Sequence, residues 1–159
     1  MNKIESAVYI TKKWIFSFLA TFLAFQSFSQ EVTMQQTLDY INGKFAGKCS
    51  IDVSKGVLIS VYQSGGQNVR EDQVGMNYLD INSMKYDKEY NIFSINCKGA
   101  PSKKCVTRDL FVRKESNEYA RVSWEVYLDE KGVNGMKKAM THMIKLVLDS
   151  KYKSSEPFE

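Results

Sequence analysis

The chain is poor in the residues that carry recognisable chemistry. In 159 residues it has one histidine, His142, three cysteines and two prolines. One imidazole leaves little room for acid–base or metal work. A Ser–His–Asp arrangement needs that imidazole aimed at a hydroxyl with an acid behind it, and no nucleophile-elbow pattern accompanies it. No phosphate loop, dinucleotide fingerprint, calcium loop or metalloprotease helix occurs. Three cysteines plus His142 match no zinc spacing, so no metal or cofactor is expected. Charge of one sign is also scarce. The formal net charge is +4. Residues 1–29 hold three Lys and one acid, so the remaining 130 residues keep 19 basic and 17 acidic side chains, a net of +2. That balance gives no footprint for nucleic acid. There is no internal repeat, low-complexity run or interdomain linker. Hydrophobic residues at 43% and charged residues at 25% are ordinary for one globular domain.

One long hydrophobic run is present, and it lies at the start. Lys12 and Lys13 precede residues 14–25, uncharged and mostly apolar. Twelve residues suit the h-region of a signal peptide and fall short of a membrane span. Ser27 and Ser29 put small residues at the −3 and −1 positions. Cleavage is expected before Gln30, with residues 1–29 as signal peptide, 30–149 as a single domain and 150–159 as a polar tail. The alternative is a retained anchor, since residues 14–30 are all uncharged. Export places the protein in the periplasm or outside the cell, with no stable membrane span after cleavage.

An oxidising compartment favours disulfides. Cys97 and Cys105 flank a Gly- and Pro-containing turn, and if the flanks are neighbouring strands the two sulfurs come within bonding reach. Cys49 is left over, read as a buried thiol in a strand, with a reactive thiol as the sharper alternative.

Hydrophobic periodicity gives the architecture. Thr33 and Gln36 form a capping-box pattern, and Met34, Leu38, Ile41 and Phe45 recur on one helical face, with Gly47 as a stop. Seven strand candidates follow: 49–53, 57–62, 68–74, 81–86, 91–97, 105–114 and 119–128. Residues 115–118 read as a turn, and Glu71-Asp72 as solvated charge. Asp129-Glu130 is an acid pair suited to a helix start. A final helix, with Asn134 able to cap it, carries Met136, Met140, Met143 and Val147 on one face. The expected fold is α+β: an N-terminal helix, about seven antiparallel strands as a small barrel or curved sheet, and a C-terminal helix packed on or plugging it.

In that order of elements the chain resembles the pleckstrin-homology-like barrel. It is also similar to small exported Bacteroidota proteins of unassigned function, through the exit before Gln30, Thr37-Leu38-Asp39-Tyr40-Ile41-Asn42, Arg70-Glu71-Asp72-Gln73-Val74 and Ala139-Met140-Thr141-His142-Met143-Ile144-Lys145-Leu146. The resemblance implies a plugged barrel. It does not carry over phosphoinositide binding, because the first strand pair has only Lys48 and Lys55.

With no catalytic set, the expected function is an exported, non-catalytic binding or interaction module for an unknown protein or apolar ligand. Tyr40, Tyr62, Tyr119 and Tyr127, with Met140 and Met143, are the candidate ligand or partner surface. The alternatives are an enzyme of unfamiliar type using Cys49 or His142, or an envelope-associated structural protein. His142, on the flank of the apolar stripe, is expected to hydrogen-bond a neighbouring loop.

Overall fold

The computed structural model describes residues 31–149; the expected leader, its cleavage point and the tail from 150 onward lie outside the described residues. The first element is α1 (Met34–Lys44). Its start is the expected capping box, with the Thr33 side chain accepting from the Gln36 N–H and the Gln36 side chain accepting from the Thr33 N–H. Leu38, Ile41 and Phe45 are buried along the predicted face.

Three strands then form a meander: β1 (Cys49–Ser54), β2 (Val57–Ser64) and β3 (Gln67–Gly75). Both connections are two-residue turns with positive φ at each central position, Lys55-Gly56 and Gly65-Gly66. Such turns match the twist of the flanking strands. After two short 3₁₀ turns, Met76–Tyr78 and Ile81–Ser83, come β4 (Lys85–Asp87), β5 (Ile92–Asn96), β6 (Val106–Leu110), β7 (Glu115–Tyr119), β8 (Arg121–Glu125) and α2 (Glu130–Leu148).

The strands build two open antiparallel sheets, ordered β1-β2-β3-β6-β7 and β4-β5-β8. This corrects the expectation of seven strands in one curved sheet. Residues 115–118 are strand, not turn, and residues 81–83 are 3₁₀ turn, not strand. Residues 105–114 hold only the five-residue β6 followed by a turn. The chain passes between the sheets three times, over residues 76–84, over residues 97–105, and most abruptly at Ala120, the one residue between β7 and β8.

The Cys97–Cys105 disulfide is formed, with the two Cα atoms 5.8 Å apart. The flanking strands are not hydrogen-bonded neighbours, because β5 belongs to one sheet and β6 to the other. The bond therefore ties the two sheets beside the Ala120 crossing, where Cys97 N–H donates to the Ala120 carbonyl and Cys105 N–H to that of Tyr119.

The inner faces of both sheets share one core, with Phe93, Ile95, Val122 and Trp124 from the smaller sheet fully buried. Side chains of that size stabilise the fold by about 1.5–3 kcal/mol each on burial. The core also takes in the α2 stripe, in which Met136, Met140 and Met143 have no exposed surface. Helix α2 packs against α1 and the Met76–Tyr78 turn. Its N-cap is Asp129, whose side chain accepts from Gly132 N–H, rather than Asn134, which lies inside the helix. Gly135 faces α1 closely: a Cβ there would collide with the Tyr40 hydroxyl. Near its other end α2 passes the β1–β2 turn, with the Val147 methyl beside Gly56. Among the described residues, no helix is long and apolar enough to cross a membrane.

Candidate binding site

Antiparallel register sorts the inward-facing residues of the large sheet into rows. Nearest the β1–β2 turn, Val53, Leu58, Val74, Val106 and Tyr119 stand opposite one another in turn. The next row is Ile51, Ser60, Asp72, Arg108 and Asn117. The third is Cys49, Tyr62, Arg70, Leu110 and Glu115. The face thus grades from apolar, at the end covered by α2, to charged at the other.

Asp72 is the centre of the charged end. Its side chain has no exposed surface and is held by two arginines. Arg108 donates from Nε to Oδ1 at 2.7 Å and from Nη2 to Oδ2 at 2.9 Å. Arg70 donates from Nε to Oδ1 at 2.9 Å and from Nη2 to Oδ2. Paired, charge-assisted bonds of this kind are what a buried carboxylate needs in place of water. Reading Glu71-Asp72 as solvated charge is therefore corrected for Asp72: residues 70, 72 and 74 share one face, and that face is the inner one.

Each guanidinium also lies over a tyrosine ring. Arg70 sits 4.0 Å from the ring centre of Tyr62 and Arg108 4.2 Å from that of Tyr119. The two arginines differ in their remaining bonds. Arg70 Nη2 also donates to the Tyr62 hydroxyl and to the Ser123 carbonyl of β8, which the Tyr62 hydroxyl reaches too. Arg70 is thus a strut between the sheets. Burial works against its charge, but the hydrogen bonds to Asp72 win, and its pKa lies above the ordinary arginine value. Arg108 bonds Asp72, and among the described residues no other hydrogen-bond partner holds it. Both side chains keep a window to solvent, 22% for Arg70 and 15% for Arg108. Two cations bonded to one carboxylate give the bonded triad a net charge of +1; Glu115, exposed on the same face in the third row, pairs with neither arginine.

Cys49 and Tyr62 complete this end. Cys49 is buried and unpaired. Burial pushes its thiol up to about 12, against the opposing pull of the Arg70 charge. Burial likewise raises the Tyr62 phenol above its ordinary value, again opposed by Arg70. Neither group is poised as a nucleophile or base at neutral pH. A second polar contact lies deeper, where the Trp124 Nε1–H donates to Ser60 Oγ at 2.9 Å.

The sequence candidates separate. Tyr62 and Tyr119 both lie on the inner face rather than an outer one, Tyr62 in the third row under Arg70 and Tyr119 in the first under Arg108. Tyr40, 41% exposed, lies on α1 beneath the Lys44 ammonium. Tyr127 is 84% exposed and stands apart from the cluster. Met140 and Met143 line no surface; the α2 stripe is its only apolar face, and it is spent in the core. His142 Nε2 lies 2.7 Å from the Val32 carbonyl, on the segment entering α1, which is the expected loop contact. Arg70, Asp72 and Arg108 are not among the site candidates of the sequence, where Arg70 and Asp72 enter only through the resemblance and as solvated charge. Their only signal was period-two charge in phase with Val74 and Val106.

A pocket of about 300 Å³ opens on the outer face of the same sheet, between Gln73, Thr107, Tyr78 and Lys104. It holds no buried charge. Among the described residues, no group of three His, Cys, Asp or Glu side chains is placed to hold a metal ion. No family model, curated protein or solved structure matches the chain.

Proposed function

We propose that the protein is an exported, non-catalytic binding module that engages its ligand at the charged end of the inner face. The observation that carries this reading is the fully buried Asp72 holding two partly exposed arginines. A buried ion cluster is a poor source of stability, since its desolvation offsets its attraction. The window that both arginines keep to solvent suits recognition instead. The inert protonation of Cys49 and the engagement of His142 with Val32 speak against an enzyme using either group.

Export is supported by the leader-like residues 1–29 and by the disulfide, which suits an oxidising compartment. The plugged-barrel likeness is kept as part of the proposal, supported by α2 passing the β1–β2 turn at one end of the large sheet.

Intact-mass measurement on protein secreted from a bacterial host tests export: a chain beginning at Gln30 with one disulfide is expected, and a cytosolic, reduced chain retaining Met1 contradicts it. Native mass spectrometry of the same material, compared with an Arg108→Gln variant, tests binding. A copurifying mass lost in the variant is expected. A ligand retained in full by the variant places the site elsewhere.

A further inference from the structure

The asymmetry between the two arginines points to the class of ligand. Arg70 spends its guanidinium on Asp72, Tyr62 and the Ser123 carbonyl, so it is committed to joining the sheets. Arg108 meets Asp72 through its Nε and Nη2 atoms, and its ring partner is Tyr119. A guanidinium has a second bidentate edge, Nη1 with Nη2, and among the described residues Arg108 makes no hydrogen bond from Nη1. Asp72 fixes the plane of the group, Tyr119 supports one face, and 15% of the side chain reaches solvent. Across the strand pair, Asn117 stands directly opposite Arg108 on the same face, exposed and neutral.

We infer that Arg108 is an oxyanion seat: its free edge, beside Tyr119 and Asn117, takes a carboxylate or a phosphate group of the ligand in a bidentate pair. This rests on the binding reading given above and names the chemistry of that site. The surplus positive charge of the cluster is what the anion neutralises. Preorganisation favours it, because the guanidinium is already oriented and gives up little side-chain freedom on binding.

The test avoids breaking the cluster. Asn117→Asp places a tethered carboxylate opposite Arg108 and should fill the seat from within, whereas Asn117→Gln should leave it open. Acetate and inorganic phosphate are titrated into each purified protein at fixed pH and ionic strength, with chloride as the reference. The Arg108 side-chain Nε–H resonance and the melting temperature are followed. Saturable shifts with either oxyanion in the wild type and the Gln variant, weakened by roughly tenfold or more in the Asp variant, are expected for a charge-assisted pair. Saturation by phosphate alone assigns a phosphorylated ligand, and by acetate alone a carboxylate such as a peptide terminus. Responses indistinguishable from chloride, or saturation undiminished by Asn117→Asp, overturn the inference. If the oxyanions fail but a copurifying neutral molecule moves the same resonance, the oxyanion seat is wrong while the binding module stands.

Discussion

Asn42 and Ile51 exchange two hydrogen bonds, side chain to backbone. The Asn42 amide donates to the Ile51 carbonyl at 2.9 Å and its oxygen accepts from the Ile51 N–H at 2.7 Å. One side chain of α1 thereby acts as a missing strand along the outer edge of β1. Edge strands left unpaired invite association with other chains. Replacing Asn42 with Ala should cost about 1–3 kcal/mol by stranding both backbone groups. Urea denaturation reads the loss, and light scattering should show a higher tendency to associate.

Ser60 is fully buried, and its hydroxyl accepts from the Trp124 indole N–H. Removing its hydroxyl leaves the Trp124 N–H without a partner in a region with no exposed surface. Ser60→Ala is expected to destabilise the protein by about 1–3 kcal/mol. An unchanged urea midpoint would mean that the contact between the sheets at this point contributes nothing.

The Cys49 thiol should resist alkylation in the native protein at neutral and mildly alkaline pH, reacting only once denaturant is added. Its pKa is raised to about 12 in the folded state. The unfolded chain therefore releases this proton at lower pH than the folded one does. Stability contributed by the group falls as pH rises from the ordinary thiol value, about 8.5, toward 12. The raised Tyr62 phenol has the same sign at higher pH. Cys49→Ala should shift the alkaline loss of stability upward, which thermal melts between neutral and strongly alkaline pH would show.

The disulfide closes a short loop, with a separation of eight residues. On the chain-entropy model its removal should cost about 2.5 kcal/mol. Because it joins the sheets where β7 passes into β8, a Cys97→Ala/Cys105→Ala variant should lose amide protection first around Ala120. Hydrogen exchange that is uniform through both sheets would contradict that placement.

Much of the fold was legible because buried faces leave a period in the sequence. The α1 capping box, the alternation of Cys49, Ile51 and Val53, and the methionine stripe of α2 all read directly. β7 did not, because Glu115-Ser116-Asn117-Glu118 is exposed throughout and carries no apolar phase. The start of α2 was hidden by Gly132 and Gly135, which look like breakers. One lies over the Asp129 cap and the other admits the Tyr40 ring, so each is kept for close approach rather than for a turn. The two-sheet division was not legible either, since at one of its three crossings a single residue, Ala120, separates β7 from β8 and leaves no break in the pattern. The charged cluster depends on β3 lying beside β6, 36 residues apart from Asp72 to Arg108, and pairing at that distance leaves no local mark.

In the proposed function the charged cluster serves recognition, through Arg108, beyond the tie that Arg70 makes between the sheets. The direct measurement is the melting temperature of an Arg70→Met/Asp72→Leu/Arg108→Met variant against wild type, in chloride and in phosphate or acetate at equal ionic strength. Apolar replacement of a buried ion triad as a unit is commonly neutral or stabilising. The variant should gain nothing from either oxyanion, while wild type gains from at least one; in chloride the loss of the Arg70 bonds to β8 offsets part of what apolar replacement contributes. A wild type indifferent to both oxyanions, or a variant that gains as much from them as wild type does, would leave the cluster a structural strut alone and contradict a role in recognition.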